Sequence, residues 1–400
     1  LQSKAKSAFG GKIDNSKPKI ALVHDYLKEY GGAEGVLETL SDLFPNAPIY
    51  TSLYCPHYLG PHRPRLEKKW AGRIHQSFFR FIPFAPKLIS PLRLLSPLAF
   101  RLFDFSTFDL IISSATGAYF PNAVNKKSAK LVCYCHTPPR YLYGLPTARN
   151  LTTNRFLAAL AAVLNHFLRL LDFKFAQNVD QFVANSRTTA ARIQKFYRKS
   201  SVVINPPVEL PKKLKIENWK LKIPGNEYYL AGGRLARAKR YDIAIQACNQ
   251  LKLPLKVFGR DFAGFESELK KIAGLPAVAS AEAGPTIEFV GEVTNDQKYR
   301  LMSQSQAFIF CSDNEDFGIM PVEAMACGTP VVAYRSGGVT ETVVDGQTGV
   351  LFDELAPSSC AAAIQKLQKL KIKSQNCRSR ARLFSRPAFI QKITNLLSSL

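Results

Sequence analysis

At 400 residues the chain is too long for one ordinary core and suits two domains. A hydrophobic content of 46% excludes a disordered chain, and with no run of 18 apolar residues no transmembrane helix is expected. The net charge of +24 calls for an anionic partner (a membrane surface, nucleic acid or a phosphorylated substrate), while eight scattered cysteines without a Cys-x-x-Cys pair read as reduced core thiols of a cytoplasmic protein and not as a zinc site.

Residues 1–18 are rich in Lys, Ser and Gly and lack the apolar core of a signal peptide, so they read as a flexible tail. Lys19-Ile-Ala-Leu-Val-His24-Asp25-Tyr26 has the pattern of a buried strand. The turn Tyr30-Gly31-Gly32-Ala-Glu-Gly35 and a helical stretch from Val36 to Leu43 follow, as at the start of a βαβ unit. The paired glycine is not a Gly-x-Gly-x-x-Gly fingerprint and also fits a plain tight turn. Residues 62–101 carry nine Arg or Lys against one acid, Glu67. From Phe78 to Phe103 those cations interleave with Phe, Leu and Ile, while Pro83, Pro86, Pro91 and Pro97 forbid one continuous helix. Short amphipathic pieces of this kind suit an anionic bilayer surface; a stretch packed on its own domain with solvated charges is the plainer alternative. The aromatics are nearly all Phe, which fits lipid better than base stacking, so nucleic acid is not expected as a partner.

Phe108 to Ser114 and Lys130 to Cys135 are two further buried strands. The second ends in His136-Thr-Pro-Pro-Arg140-Tyr141, which places His136 at the carboxyl end of a parallel strand, the usual ligand face of an open α/β sheet. A structural hydrogen-bonding role serves equally well for such a histidine. Residues 151–178 are helical, Asp180 to Asn185 is a strand, and Ser186 suits the N-cap of a helix from Arg187 to Tyr197. Pro206, Pro207 and the basic tract Lys212 to Lys215 read as an interdomain linker.

The second half restarts the pattern. Tyr228-Tyr-Leu-Ala-Gly-Gly233 is a strand and glycine turn, followed by Arg234-Leu-Ala-Arg-Ala-Lys239 and a helix from Ile243 to Asn249. Arg234 and Lys239 stand where strand gives way to helix and can neutralise a diphosphate there; Arg237 and Arg240 are nearby alternatives, and a solvated turn is the plain one. Leu255 to Gly259 and Thr286 to Val293 are two more strand ends, and Ala307 to Ser312 is the strand delivering a distinctive loop. That loop is Glu315-Asp-Phe317-Gly318-Ile319-Met320-Pro321-Val-Glu323, running on to Gly328-Thr-Pro330. Pro321 suits the first helical position, Gly328 the C-terminal stop, and Glu323 then falls in the first turn. The helix N–H groups favour an anion between the two carboxylates, although an ordinary loop–helix–strand connection fits the nine residues as well. From Cys360 onward the chain is helical and basic.

The Glu315–Glu323 stretch resembles the donor-site signature of the retaining GT-B glycosyltransferases of family 4: Glu, any residue, Phe-Gly, two apolar residues, Pro, an apolar residue, Glu-Ala. Gly233-Arg-Leu-x-x-x-Lys239 stands ahead of it in the expected order, and His136-Thr-Pro-Pro-Arg-Tyr resembles a subgroup that includes mannosyltransferases of lipopolysaccharide O-antigen assembly. The resemblance covers residues 19–395. It implies two Rossmann-like α/β domains facing each other across a cleft. Residues 19–208 would form the acceptor domain, 209–226 a linker and 227–385 the nucleotide-sugar domain. The helix at 386–400 would pack back on the N-terminal domain.

It also implies roles. Arg234 and Lys239 would hold the departing diphosphate, with Gly31 and Gly32 letting the backbone approach donor or acceptor. Gly259 and Val293 would flank the base. Phe317, Gly318, Ile319 and Met320 would present the helix start to phosphate, Glu323 would bind the ribose, and Glu315 and His136 would lie against the transferred sugar. No cofactor, metal or general base is implied. The expectation is a metal-independent hexosyltransferase, with mannose from GDP-mannose favoured, acting on a lipid-linked glycan in cell-envelope polysaccharide assembly. It would be cytoplasmic and peripherally bound to the inner face of the membrane. A non-catalytic basic binding protein on a GT-B scaffold and a nucleotide-sugar epimerase of the same fold are the alternatives. Arg260-Asp261 departs from the family's usual second glycine after Gly259, and Asn205 stands where the family often has an aromatic residue or His.

Overall fold

The computed structural model describes residues 18–145, 155–211, 228–274 and 287–400. The tail expected at 1–18, apart from Pro18, and most of the linker expected at 209–226 lie outside them. Among the described residues, 18–145, 155–207 and 387–400 form one compact unit and 208–386 form a second.

The first unit is built on a parallel seven-stranded sheet. Its strands are β1 (Ile20–His24), β2 (Ile49–Thr51), β3 (Ile74–Gln76), β4 (Leu110–Ala115), β5 (Lys130–Cys135), β6 (Gln181–Ala184) and β7 (Ser201–Val203), in the order β3-β2-β1-β4-β5-β6-β7. The second unit repeats the plan with β8 (Tyr229–Gly232), β9 (Leu255–Phe258), β10 (Ile287–Gly291), β11 (Phe308–Phe310), β12 (Val331–Tyr334) and β13 (Gly349–Phe352), in the order β10-β9-β8-β11-β12-β13. Each is therefore a doubly wound sheet whose direction of winding reverses once, between β1 and β4 and between β8 and β11. A crevice opens at the carboxyl ends of the strands at such a reversal.

Both faces of each sheet are covered, which explains the unbroken apolar runs. Along β1, Ala21 and Val23 join one core while Leu22 joins another on the opposite face. Along β11, Phe308 and Phe310 enter one core and Ile309 the other. The helix Arg386–Ser398 contributes Phe389 and Ile393 to the first unit's core beside Leu22, Ile112 and Tyr134, with the Tyr134 and Phe389 rings 5.8 Å apart.

Three boundaries differ from the sequence reading. The first helix spans Gly32–Leu43 and so begins four residues earlier, at the paired glycine itself. Val208 belongs to the second unit, because its N–H donates to the Phe384 carbonyl at 3.0 Å and its side chain is buried there. The helix after Glu315 spans Ile319–Ala326, so Pro321 is its third residue and not its first. Glu323 consequently lies just beyond the first turn. Gly318, at φ +86°, supplies the left-handed bend that starts the helix early.

Candidate active site

In the second unit the site is assembled from strand ends. β8 runs into Gly232-Gly233, and close approach requires glycine at both Gly232 and Gly259. A side chain on Gly232 would strike the Phe258 ring, and one on Gly259 would come within 1.7 Å of the Gly233 carbonyl oxygen. The ends of β8 and β9 are thus pressed together, with Gly233 N–H donating to Phe258 O at 3.1 Å. Asp261 accounts for the departure after Gly259: its carboxylate accepts from the N–H groups of Gly264 and Glu266 and starts the helix Phe265–Ile272. Val293 is half-buried beyond β10.

The four cations after Gly233 are sorted by their partners. Arg237 forms a paired contact with Glu268, and Arg240 binds Asp242, with Nη2 and Oδ2 2.9 Å apart. Lys239 instead reaches Glu315 Oε2, which also accepts from Ser312 Oγ at 2.8 Å. The Arg234 guanidinium lies 5.5 Å from the Phe262 ring centre, and its backbone carbonyl is 3.5 Å from the Tyr241 hydroxyl. Tyr241 is buried beside Glu315 and Arg234; burial and then Glu315 push its hydroxyl far above the ordinary tyrosine range. The structure thus brings Arg234 and Glu315 to the Tyr241 ring and Lys239 onto Glu315, at the reversal between β8 and β11.

The Glu315 loop is held from the other side by Ser336-Gly337-Gly338. Gly338 N–H donates to Glu315 O at 2.8 Å, Ser336 Oγ accepts from Asn314 N, and a side chain on Gly337 would lie 2.1 Å from Glu315 O. Phe317 turns away into the core against Phe384, so only its backbone faces the loop. Ile319 and Met320 are half-buried, and a Cβ on Gly233 would be 3.9 Å from Met320 Cγ, which joins the β8 turn to the helix start. Glu323 is buried and accepts from Lys298 Nζ at 2.7 Å, with the Tyr299 hydroxyl at 3.5 Å. Lys298 and Tyr299 carry no motif that would have singled them out; they reach Glu323 only because their helix, Asn295–Gln304, packs on Ile319–Ala326.

In the first unit the corresponding reversal gathers His24, Asp25, Glu34, Ser114 and His136. The exposed pair Gly31-Gly32 opens the first helix without a side-chain cap, and Gly31 N–H donates to Glu34 Oε2 at 2.8 Å. Glu34 Oε1 lies 3.5 Å from the buried His24 Nε2. His136 bonds Ser114 Oγ through Nε2 at 2.9 Å, and its carbonyl accepts from Asn185 Nδ2 at 2.8 Å. Burial, and then the neighbouring His24, push the His136 ring down to about 3, so it is neutral at ordinary pH. Nothing in the sequence singles out Asp25, which reads there as one more residue of the strand pattern Lys19 to Tyr26. Its Oδ2 accepts from Thr116 Oγ1 at 2.5 Å and from the N–H groups of Ala118 and Tyr119 at 3.1 Å, pinning the turn after β4. Burial nonetheless raises its pKa above the usual carboxylate range, against the opposing pull of His24 and those donors.

A model of Glycosyltransferase Family 4 matches residues 30–211, and one of Glycosyl transferases group 1 matches residues 214–384. The chain is a family 4-like glycosyltransferase of the GT-B fold. The mouse alpha-1,3/1,6-mannosyltransferase ALG2 is 23% identical over 96% of either chain, and that of Rhizomucor pusillus 24% identical over 75% of this chain and 72% of its own. A D-inositol 3-phosphate glycosyltransferase of Pseudarthrobacter chlorophenolicus is 30% identical, but over about a third of either length (36% and 35%). Among solved structures, Anabaena Alr3699/HepE in complex with UDP-glucose superposes with a TM-score of 0.67 at 20% identity, covering 96% of this chain and all of that one.

Proposed function

We propose that this glycosyltransferase moves a hexose from a nucleotide sugar to a lipid-linked glycan with retention of configuration, and that the donor is GDP-mannose. The observation that carries the reading is the meeting of Arg234, Lys239 and Glu315 at the β8–β11 reversal, directly before the N-terminus of the helix Ile319–Ala326. Mannose draws its support from the likeness to mannosyltransferases over most of the chain.

In this reading the bond from the sugar's anomeric carbon to the diphosphate breaks, and its electron pair leaves with the phosphate. The acceptor oxygen bonds that carbon on the same face, and its proton passes to the departing phosphate. Charge grows on the diphosphate as the bond stretches, where Arg234, Lys239 and the helix N–H groups would oppose it. Lys239 meets a phosphate only by sharing or leaving Glu315, so donor binding and the freeing of Glu315 for a sugar hydroxyl are one event. Glu323, oriented by Lys298, would take the ribose hydroxyls. His136, neutral and held by Ser114, would offer the sugar a hydrogen bond without a charge. No step uses a metal.

Calorimetric titration with GDP, UDP and ADP and then their sugar conjugates, with chelator present, tests the donor site. One nucleotide should bind, and its conjugate should support transfer. Glu315→Ala and Arg234→Ala should each cut turnover by about 10²-fold or more in a folded protein. A folded sample that binds none of the nucleotides would leave a non-catalytic basic scaffold as the better reading.

A further inference from the structure

The helix Arg155–Gln177 holds to the first unit through one narrow face. Ala161, Asn165, Leu168 and Asp172 turn inward, while Leu160, Val163, Leu164, Phe167, Leu170 and Leu171 are between 40% and 59% exposed. At 3.6 residues per turn those six fall within an arc of roughly 120° and run for about 17 Å along the axis. A globular protein does not ordinarily leave such a stripe in water. Lys174, also exposed, continues the same arc one turn on.

The stripe has a neighbour of the same character. Phe81 and Phe84 are 72% and 73% exposed, with Arg80 and Lys87 stacked over their rings. Residues 78–102 contain Arg80, Lys87, Arg93 and Arg101 and no acid. The two elements share a seam: Arg93 donates to Ala118 O and covers the Tyr141 ring at 3.9 Å, while Arg169 donates to Leu142 O and Phe175 meets the Phe120 ring. The single carboxylate of the helix, Asp172, is buried and accepts from the Tyr143 hydroxyl at 2.9 Å.

We infer that the exposed stripe of this helix and the 78–102 segment form one docking surface for an anionic lipid bilayer, the helix lying in the headgroup plane. Charge selects the occupant. A second copy seated on this surface would oppose cation to cation with no exposed carboxylate on either element to offset them, whereas acidic headgroups supply the opposite sign. Among the described residues no helix is long and apolar enough to cross a membrane, so the contact is lateral. The inference rests on the reading of a lipid-linked acceptor and adds to it the surface that meets the lipid.

The test uses the full chain and vesicles of phosphatidylcholine with or without phosphatidylglycerol. The parent should partition onto the acidic vesicles, and the variant Leu164→Ser/Phe167→Ser/Leu171→Ser should do so about tenfold less or worse, with an unchanged circular dichroism spectrum. A second variant, Phe167→Trp, should gain blue-shifted emission, relative to the parent spectrum, when acidic vesicles are added. Equal partitioning of the folded triple variant, an unmoved Phe167→Trp spectrum, or a parent dimer that the triple variant dissolves would each overturn the surface. Nucleotide binding, measured in parallel, separates this outcome from failure of the glycosyltransferase site.

Discussion

His136 and Asp172 titrate in opposite senses, and both lie in the first unit. Burial holds His136 neutral down to about pH 3, so below pH ~6.5 the unfolded chain binds the extra proton and stability falls with falling pH. Burial raises Asp172 to about 7 despite hydrogen bonds from Tyr143 and Tyr197. There the folded chain holds the proton, and stability falls as pH rises from ~4 towards 7. Between about pH 4 and 6.5 the two slopes oppose each other. Asp172→Asn should therefore leave stability rising with pH relative to the parent, and His136→Gln should leave it falling, by up to ~1.4 kcal/mol per pH unit in each case. Urea unfolding at a series of pH values measures both, and parallel profiles for the two variants would show that neither group is held as described. At this same scale, most of the second unit's candidate site was legible because the motif is local: Glu315, Gly318 and Glu323 sit within nine residues. Which cation meets Glu315 was not, because Arg234, Arg237, Lys239 and Arg240 are interchangeable as a charge pattern. Asp242 and Glu268 divert two of them only once the helices they start from are in place.

Among elements, the last helix is the informative case. Nothing in the residues 386–400 states which sheet they cover; their apolar face fits any sheet. Packing places Phe389 against Tyr134 and Leu22, which the chain reaches more than 180 residues after leaving β6 and β7. Phe389→Ala should remove about 3–5 kcal/mol from the first unit by opening a cavity in its core. Hydrogen exchange should quicken in β1, β4 and β5 and stay unchanged in β8 and β11; equal loosening of both sheets would contradict the assignment. Helix starts show a related limit. Ser186 was recognisable as a cap and accepts from Thr189 N at 3.1 Å, whereas the start at Ile319 depended on Gly318 adopting a left-handed bend that Pro321 gave no sign of.

For the whole molecule, the proposed bilayer contact would divide its work: the net charge of +24 would govern encounter with anionic surfaces, and the apolar stripe retention. Raising salt from about 0.1 M to about 1 M shortens the screening length from ~10 Å to ~3 Å. Binding of the stripe variant to acidic vesicles should then vanish, while the parent keeps a salt-resistant fraction. Co-sedimentation at both salts measures this, and identical loss in the two proteins would assign all retention to charge. By itself the sequence determined the two α/β repeats, the parallel strands and the Glu315–Glu323 signature, because period, glycine turns and a nine-residue signature are properties of adjacent residues. Only the tertiary structure decided that Lys298 orients Glu323, that Gly337 and Gly338 clamp the Glu315 loop, and that one long helix keeps an apolar face in water. Each of those depends on which distant surfaces pack together, and packing is settled by the whole core at once.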